Sequence, residues 1–217
     1  MKKKNLKKLL LAVCCAALLV CVSIGATVAY LTSTKTVKNT FTVGNVQIKL
    51  DEEDITKMDG SRTETGNQYK IFPGKSYTKD PTVTVIKNSE ESYVRMKVEV
   101  KNIDQLKAVF TDGSYYAEDG TFLLQNLVEG WVPATWASYG YTQSADGKTG
   151  TYEFRYKETV KTSTDDQKLD ALFTKIVIPG DVDNDGLQKL GLVEINITAE
   201  AIQAEGFADA DAAWAKF

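Results

Sequence analysis

The stretch SYVRMKVEV, residues 92–100, decides the fold class of this chain. Apolar side chains occupy every second position and charged side chains fill the positions between them: Val94, Met96, Val98 and Val100 alternate with Arg95, Lys97 and Glu99. Because successive side chains of a strand point to opposite faces, this period of two predicts a strand with one buried and one solvated face. Such half-buried strands are typical of antiparallel sheets.

The same alternation recurs on both sides of this stretch, in runs around residues 82–85, 152–156, 176–178 and 193–198. Turns rich in Gly and Asp separate the runs. Six or more such strands predict a mainly β protein, an antiparallel β-sandwich with a few short helices.

A strand pattern also occupies residues 30–50, with a change of phase in the middle. The two halves have apolar residues of opposite parity: Val37, Phe41 and Val43 against Val46, Ile48 and Leu50. Gly44 and Asn45, at the change, suit a bulge or a tight turn. Residues 36–50 are therefore predicted to form one bent strand or two short ones.

Helical patterns are few. Thr164 and Gln167 have the spacing of a capping box before DDQKLDALFTK, residues 165–175, which predicts a helix there. IDQLKAVF, residues 103–110, and TFLLQNLVEG, residues 121–130, predict short helices, and Asp209 is predicted to cap a last turn. Residues 51–70 are polar and rich in turn formers, so they are predicted to be a long exposed loop.

The first 30 residues have the layout of a signal peptide. Five lysines within residues 2–8 precede an uncharged, apolar run from Leu9 to Thr34. Thr27 and Ala29 place small residues three and one before Tyr30, which predicts cleavage between Ala29 and Tyr30. Residues 1–29 are then a signal helix, and 30–217 a single domain. The alternative is a retained transmembrane helix, since the apolar run is long enough to span a bilayer.

Composition restricts the function classes. Without the five leading lysines, 21 basic residues face 29 acidic ones, and this net charge of −8 disfavours nucleic acid and anionic lipid as partners. Contact with a membrane is expected only through an uncleaved signal segment. The chain has no histidine, and its three cysteines are Cys14, Cys15 and Cys21, so His-based catalytic sites and a disulfide framework in the body are excluded.

The sequence DVDNDG, residues 181–186, is a candidate calcium loop. Asp181, Asp183 and Asp185 take positions 1, 3 and 5 of an EF-hand-like loop, with Gly186 at position 6. Position 12 is Leu192 instead of a bidentate Glu. An acidic turn between a strand and a short helix therefore remains the favoured interpretation, with Ca²⁺ as a weak alternative and no other cofactor expected.

An aromatic cluster around Trp131 and Trp136, with Tyr139 and Tyr141, is a candidate glycan-binding platform. Core packing is the alternative and is favoured in a chain with 10% aromatic residues.

Several segments together resemble the TasA/camelysin family of secreted Gram-positive proteins. They are residues 25–50 (GATVAYLTSTKTVKNTFTVGNVQIKL), 71–88 (IFPGKSYTKDPTVTVIKN), 92–100, 172–181 (LFTKIVIPGD) and 193–207 (VEINITAEAIQAEGF). The resemblance implies a jelly-roll β-sandwich, export through a SipW-type signal peptidase, and a role as subunit of extracellular matrix, biofilm or cell-surface fibres.

The resemblance also implies an assembly route. Residues 30–50, exposed by signal cleavage, pair with the sheet of the next subunit, and Val37, Phe41 and Val43 fill its groove. The alternative is that this strand folds back into its own sheet. Some family members are described as camelysin-type metallo-endopeptidases, but a zincin needs H-E-x-x-H, and the chain has no histidine. The sequence therefore predicts a secreted, self-associating structural protein and not an enzyme, with a peptidase or a glycan-binding surface module as alternatives.

Overall fold

The computed structural model describes residues 44–57 and 59–217. Within these residues eleven strands form three antiparallel sheets, and three short α-helices accompany them. The strands are β1 (Ile48–Glu53), β2 (Arg62–Thr63), β3 (Lys75–Thr78), β4 (Thr82–Val85), β5 (Ser92–Lys101), β6 (Val128–Glu129), β7 (Trp136–Gln143), β8 (Thr149–Tyr156), β9 (Gln167–Lys168), β10 (Lys175–Ile178) and β11 (Glu194–Gln203). The helices are α1 (Ile103–Val109), α2 (Asn184–Leu190) and α3 (Ala210–Trp214). The predicted mainly β architecture is confirmed.

The largest strands lie in one sheet, in the order β11-β5-β8-β7. Met96 in β5 stands opposite Phe154 on one side and Ala199 on the other. A second sheet has the order β2-β1-β4-β9, and a third the order β3-β10-β6. Every pairing between these strands is antiparallel, as the half-buried patterns predict.

The core is built from the alternating residues that the sequence singles out. Val94, Met96, Val98 and Val100 of β5 are fully buried, and they share one cluster with Val83 and Val85 of β4. β4 and β5, which belong to different sheets, therefore contribute apolar side chains to a common sandwich interior.

The helix predicted over residues 165–175 is wrong. Gln167 and Lys168 form β9 and pair with Val85 and Thr84 of β4. The N–H of Leu169 donates to the carbonyl of Val83 at 2.9 Å, so the backbone bonds to a neighbouring strand instead of to its own preceding turn. Leu169, Leu172 and Phe173 are buried as expected, because an extended segment also buries them against the sandwich.

The exposed loop predicted over residues 51–70 is wrong at two places. β1 continues to Glu53, and Asp51 and Glu52 are buried, with 7% and 6% of their surface exposed. Further along, Arg62 and Thr63 return as β2 and pair with Glu53 and Glu52. Charged partners, described below, allow these acids to be buried, and a reading by polarity alone misses such pairs.

Other local predictions hold. α1 begins and ends within the predicted segment 103–110, and Leu124–Leu127 form a single 3₁₀ turn within the second one. Asp209 caps α3, since its Oδ1 accepts from the N–H of Ala212 at 2.8 Å. Part of the predicted assembly strand, Ile48 to Leu50, is already paired with β4 in the same chain; residues 30–43 lie outside the described residues.

Candidate functional site

The outer edge of β11 is the principal candidate for a binding surface. Within the described part of the chain, β11 pairs with β5 alone, over ten residues in unbroken register. Just beyond it, the N–H of Ala204 donates to the carbonyl of Glu91 at 2.7 Å. Because hydrogen-bonded positions alternate along an antiparallel pair, the even-numbered residues of β11 bond to β5. The odd-numbered residues turn their N–H and C=O groups toward the outer edge: Ile195, Ile197, Ala199, Ala201 and Gln203.

The apolar face beside this edge is incompletely covered. Ile195 and Ile197 are only partly buried although they pack against the core, whereas their partners on β5, Val100 and Val98, are fully buried. An added strand that supplied apolar side chains would complete this side of the sandwich.

The other end of the same sheet has a different edge. β7 also lacks a second partner strand among the described residues, but its register shifts between Ser138 and Gly140. A bulge of this kind twists an edge away from further pairing. Of the two edges of this sheet, β11 is therefore the one suited to accept a strand.

A groove runs beside β11. Its narrow part, with a volume of about 180 Å³, lies between Leu50 of β1 and Ile195 and Ile197 of β11. It continues into a cleft of about 620 Å³ whose lining includes Tyr69 and Tyr77. Lys79 and Gly66 line both parts. The groove is mixed in character, with an apolar wall on β11 and charged groups near β1.

Two charged clusters stabilise the β1 side of this groove. Lys79 Nζ lies 2.6 Å from Glu52 Oε2. Arg62 donates to Asp51 and, at 2.6 Å, to Asp80. Burial alone raises the pKa of Asp51, but the bonds from Arg62 and Lys49 outweigh it, so the pKa of Asp51 is lowered overall. These pairs compensate the charges that the sequence places on a buried strand.

The surroundings of Tyr69 in the cleft affect the ionisation of its hydroxyl. Its hydroxyl donates to the carbonyl of Thr78 at 2.7 Å. Burial raises the pKa of Tyr69, and the nearby carboxylate of Glu52 raises it further. The phenol therefore stays neutral and serves as a donor inside the cleft.

The three aspartates of the candidate calcium loop have other roles in the structure. Asp183 caps α2, because its Oδ1 accepts from the N–H of Gly186 at 2.8 Å. Asp185 pairs with Lys189 at 2.6 Å. Across the described residues, no group of three or more His, Cys, Asp or Glu side chains is arranged to hold a metal ion, so Asp181, Asp183 and Asp185 are not brought together as a ligand set. The acidic turn before a short helix is what the structure shows.

The aromatic cluster is core and not a platform. Trp136 is fully buried, and its Nε1 donates to the carbonyl of Asp170 at 2.9 Å. Trp131 is half-buried and donates to the carbonyl of Trp136 at 2.9 Å. Tyr139 alone of the four is exposed, with its ring against the guanidinium of Arg155.

The remaining predicted site residues lie outside the described residues: Ala29 and Tyr30 at the predicted cleavage site, and Val37, Phe41 and Val43 of the predicted assembly strand. The described chain begins with Gly44, beside the C-terminal end of β11. A Cβ on Gly44 would lie 3.5 Å from Oε1 of Gln203, and the carbonyl of Asn45 accepts from Glu90 at 2.9 Å. The described chain therefore starts at this end of β11.

Comparison with known proteins gives a family match in the N-terminal part. A family model described as camelysin metallo-endopeptidase matches residues 4–66. These residues are camelysin-like. The resemblance noted in the sequence is thus confirmed for this stretch, which includes β1 and β2. No curated protein and no solved structure matches the chain.

The name of the camelysin family implies a catalytic metal, and the donor set can be tested against it. Protein zinc sites use His, Cys and carboxylate ligands. The chain has no histidine, and its cysteines lie outside the described residues. Since the described part also lacks a cluster of carboxylates that could hold a metal ion, its residues do not fit such a centre. In the same part, no helix has the length and apolar character needed to cross a membrane.

Sequence reasoning identified β11 as a strand but not as an open edge. Its alternation resembles that of β5, and only the pairing order distinguishes the two. The buried partners Glu52 and Lys79 were missed entirely, since two charged residues separated by 27 positions carry no local signal.

Proposed function

We propose that this protein is a secreted structural subunit of extracellular fibres or matrix, which assembles when residues 30–43 of one chain add as a strand to β11 of another. The proposal rests on one observation above all: β11 presents ten residues of edge with no second partner strand among the described residues. The camelysin-like N-terminal part supports a protein of this family, and export and assembly are our inference.

The dimensions of the two partners match. Ten residues of β11 span about 33 Å, and residues 30–43, fully extended, reach about 45 Å. The donor side chains Val37, Phe41 and Val43 are two or four residues apart, so they lie on one face of an extended strand. That face is suited to cover the half-buried Ile195 and Ile197.

A proline on the β11 edge tests the proposal. Ala199→Pro removes an N–H that points to the outer edge while leaving the bonds to β5 in place, and proline is tolerated on edge strands. We expect the variant to be secreted and folded by circular dichroism but to form no large assemblies by size-exclusion chromatography and electron microscopy.

The matched control is Ser138→Pro on the outer edge of β7, whose N–H also points away from its partner strand. This variant should assemble like the wild type. Assemblies of normal size from Ala199→Pro would exclude β11 as the acceptor. A wild-type chain that stays monomeric at high concentration would contradict assembly by strand addition.

A peptidase is the second candidate, favoured by the description of the family model alone. Cleavage of casein by purified protein, abolished by a chelator and restored by Zn²⁺, would support it. We expect no such cleavage, because the described donor set does not fit a catalytic metal.

A further inference from the structure

Three side chains meet at the floor of the groove in an arrangement that strand addition does not explain. Glu52 of β1 lies between Lys79, which follows β3, and Asn67, which follows β2. Its Oε2 accepts from Lys79 Nζ at 2.6 Å, and its Oε1 accepts from Asn67 Nδ2 at 2.8 Å. Only 8% of Lys79 and 6% of Glu52 is exposed. One carboxylate thus bonds an amine and a carboxamide at the same time, with the ion pair buried and Asn67 half-buried at the groove.

The carboxamide of Asn67 is held at both of its polar atoms. Nδ2 donates a second bond to the carbonyl of Glu53 at 2.7 Å, and Oδ1 accepts from the N–H of Ile55 at 3.1 Å. A simple ion pair between Lys79 and Glu52 requires none of these contacts. They supply groups that a reaction at Cγ of Asn67 can use: the N–H of Ile55 as a donor for the developing oxyanion, and acceptors that hold the leaving nitrogen.

We propose that Lys79 and Asn67 form an intramolecular isopeptide bond, with Glu52 as the group that transfers the protons. An amine, an amide and a bridging carboxylate are the components that such a reaction needs. The inference is independent of the assembly route proposed above.

The step balances without any added reagent. Lys79 Nζ passes a proton to Oε2 of Glu52 and attacks Cγ of Asn67, and negative charge collects on Oδ1 beside the N–H of Ile55. Protons from Nζ reach Nδ2 through Glu52, the Cγ–Nδ2 bond breaks, and a new Cγ–Nζ bond remains. The lysine ammonium and the asparagine amide become one secondary amide and one ammonium ion. The ammonium ion leaves through the narrow part of the groove, which is lined by Glu52, Lys79 and Gly66.

The bond would tie the loop after β2 to the segment that enters β4. This is the wall of the groove opposite β11, and a covalent link keeps it in place when the subunit is pulled or attacked by proteases. The link stabilises the folded protein because it restricts the conformations of the unfolded chain, as other cross-links do.

Mass spectrometry of the intact secreted chain, measured after denaturation, tests the proposal. We expect a mass lower by one ammonia, about 17 Da, than the sequence from its measured N-terminus requires. Trypsin should release residues 63–70 joined to residues 76–87, with no cleavage after Lys79. Full mass with separate peptides overturns the proposal, and so does simple deamidation of Asn67, which adds about 1 Da and leaves no link.

Two variants separate chemistry from packing. Glu52→Gln keeps both reacting side chains but cannot accept a proton, so the linked peptide should disappear. Glu129→Gln, which changes an exposed carboxylate paired with Lys175 at 3.4 Å, should keep the link in full. A link that persists in Glu52→Gln would exclude Glu52 from the reaction, and the wild-type mass decides the main question even if this variant fails to fold.

Discussion

At the scale of single residues, Arg62 organises the charged end of β1. Its Nη2 donates to the carbonyls of Asp51 at 3.1 Å and Asp80 at 3.0 Å and to the hydroxyl of Thr82 at 2.9 Å. Asp51, on the buried strand, relies on this guanidinium for most of its compensation. The geometry suits arginine specifically, because a planar fork with five donors can bond carboxylates and carbonyls together.

We expect Arg62→Ala to lower the free energy of unfolding by about 2 kcal/mol, because it leaves Asp51 buried with one partner fewer. The loss is smaller than for a fully buried pair, since part of the guanidinium is solvated. Urea unfolding followed by circular dichroism measures it. Lys189→Ala, which removes an exposed pair with Asp185, is the control and should change the midpoint little.

The same variant has a signature in its pH dependence. The pKa of Asp51 lies below its usual value in the folded protein, so its ion pairs stabilise the wild type above that usual value. This contribution is lost as the pH falls through the lowered pKa. Without Arg62, burial opposes ionisation with less compensation, so acid destabilisation should begin at a higher pH. A variant whose profile only shifts in parallel between about pH 6 and pH 2 would contradict this account.

At the scale of elements, the segment around β9 shows how tertiary contacts overrule local preference. Residues 165–175 combine a capping box with helical spacing of Leu169, Leu172 and Phe173. The structure nevertheless bonds Leu172 N–H to the carbonyl of Pro81 at 3.0 Å. The edge of β4 offers backbone partners together with an apolar surface, and both outweigh the few tenths of a kcal/mol per residue of helix propensity.

Leu172→Ala tests how much the packing of this segment contributes to the free energy of unfolding. Leu172 is fully buried, so we expect a loss of about 3 kcal/mol in unfolding free energy. Leu192→Ala is the control: Leu192 is 59% exposed and should cost less than about 0.5 kcal/mol. Equal effects of the two changes would mean that the 165–175 segment is not packed as described.

At the scale of the whole molecule, the described sandwich has one core, and the two edge strands of its main sheet differ. The three sheets share a single cluster of buried residues that extends from Val83 to Leu190. On one side the main sheet ends in the bulged β7, and on the other in the regular β11 with its groove. An assembly built through β11 therefore has a direction, because donor and acceptor are different surfaces.

Deleting residues 30–43 should leave the rest of the chain folded and monomeric. The described sheets and their core are formed by Gly44–Phe217, so this unit keeps its own packing. Size-exclusion chromatography with light scattering measures the state, and adding a peptide of sequence 30–43 should increase the mass of the complex. Fibres from the deleted chain would show that another surface drives assembly.

The architecture was largely predictable from sequence, because period-two runs depend on short-range geometry. β5, β8 and β11 lie where their alternation placed them. The cap predicted at Asp209 was also correct, since its side chain and the N–H group it accepts from are three residues apart. The 165–175 segment failed because its backbone partners lie on β4, more than 80 positions away along the chain.

By itself, the sequence determined that this protein is a β-sandwich with an acidic body that has no cysteine after Cys21. Those properties follow from composition and from patterns within a few residues. Only the tertiary structure decided which strand lies at an open edge, and which charges meet at Glu52. Edges and buried clusters arise from pairing order between distant segments, and that order is set by how all the strands pack together at once.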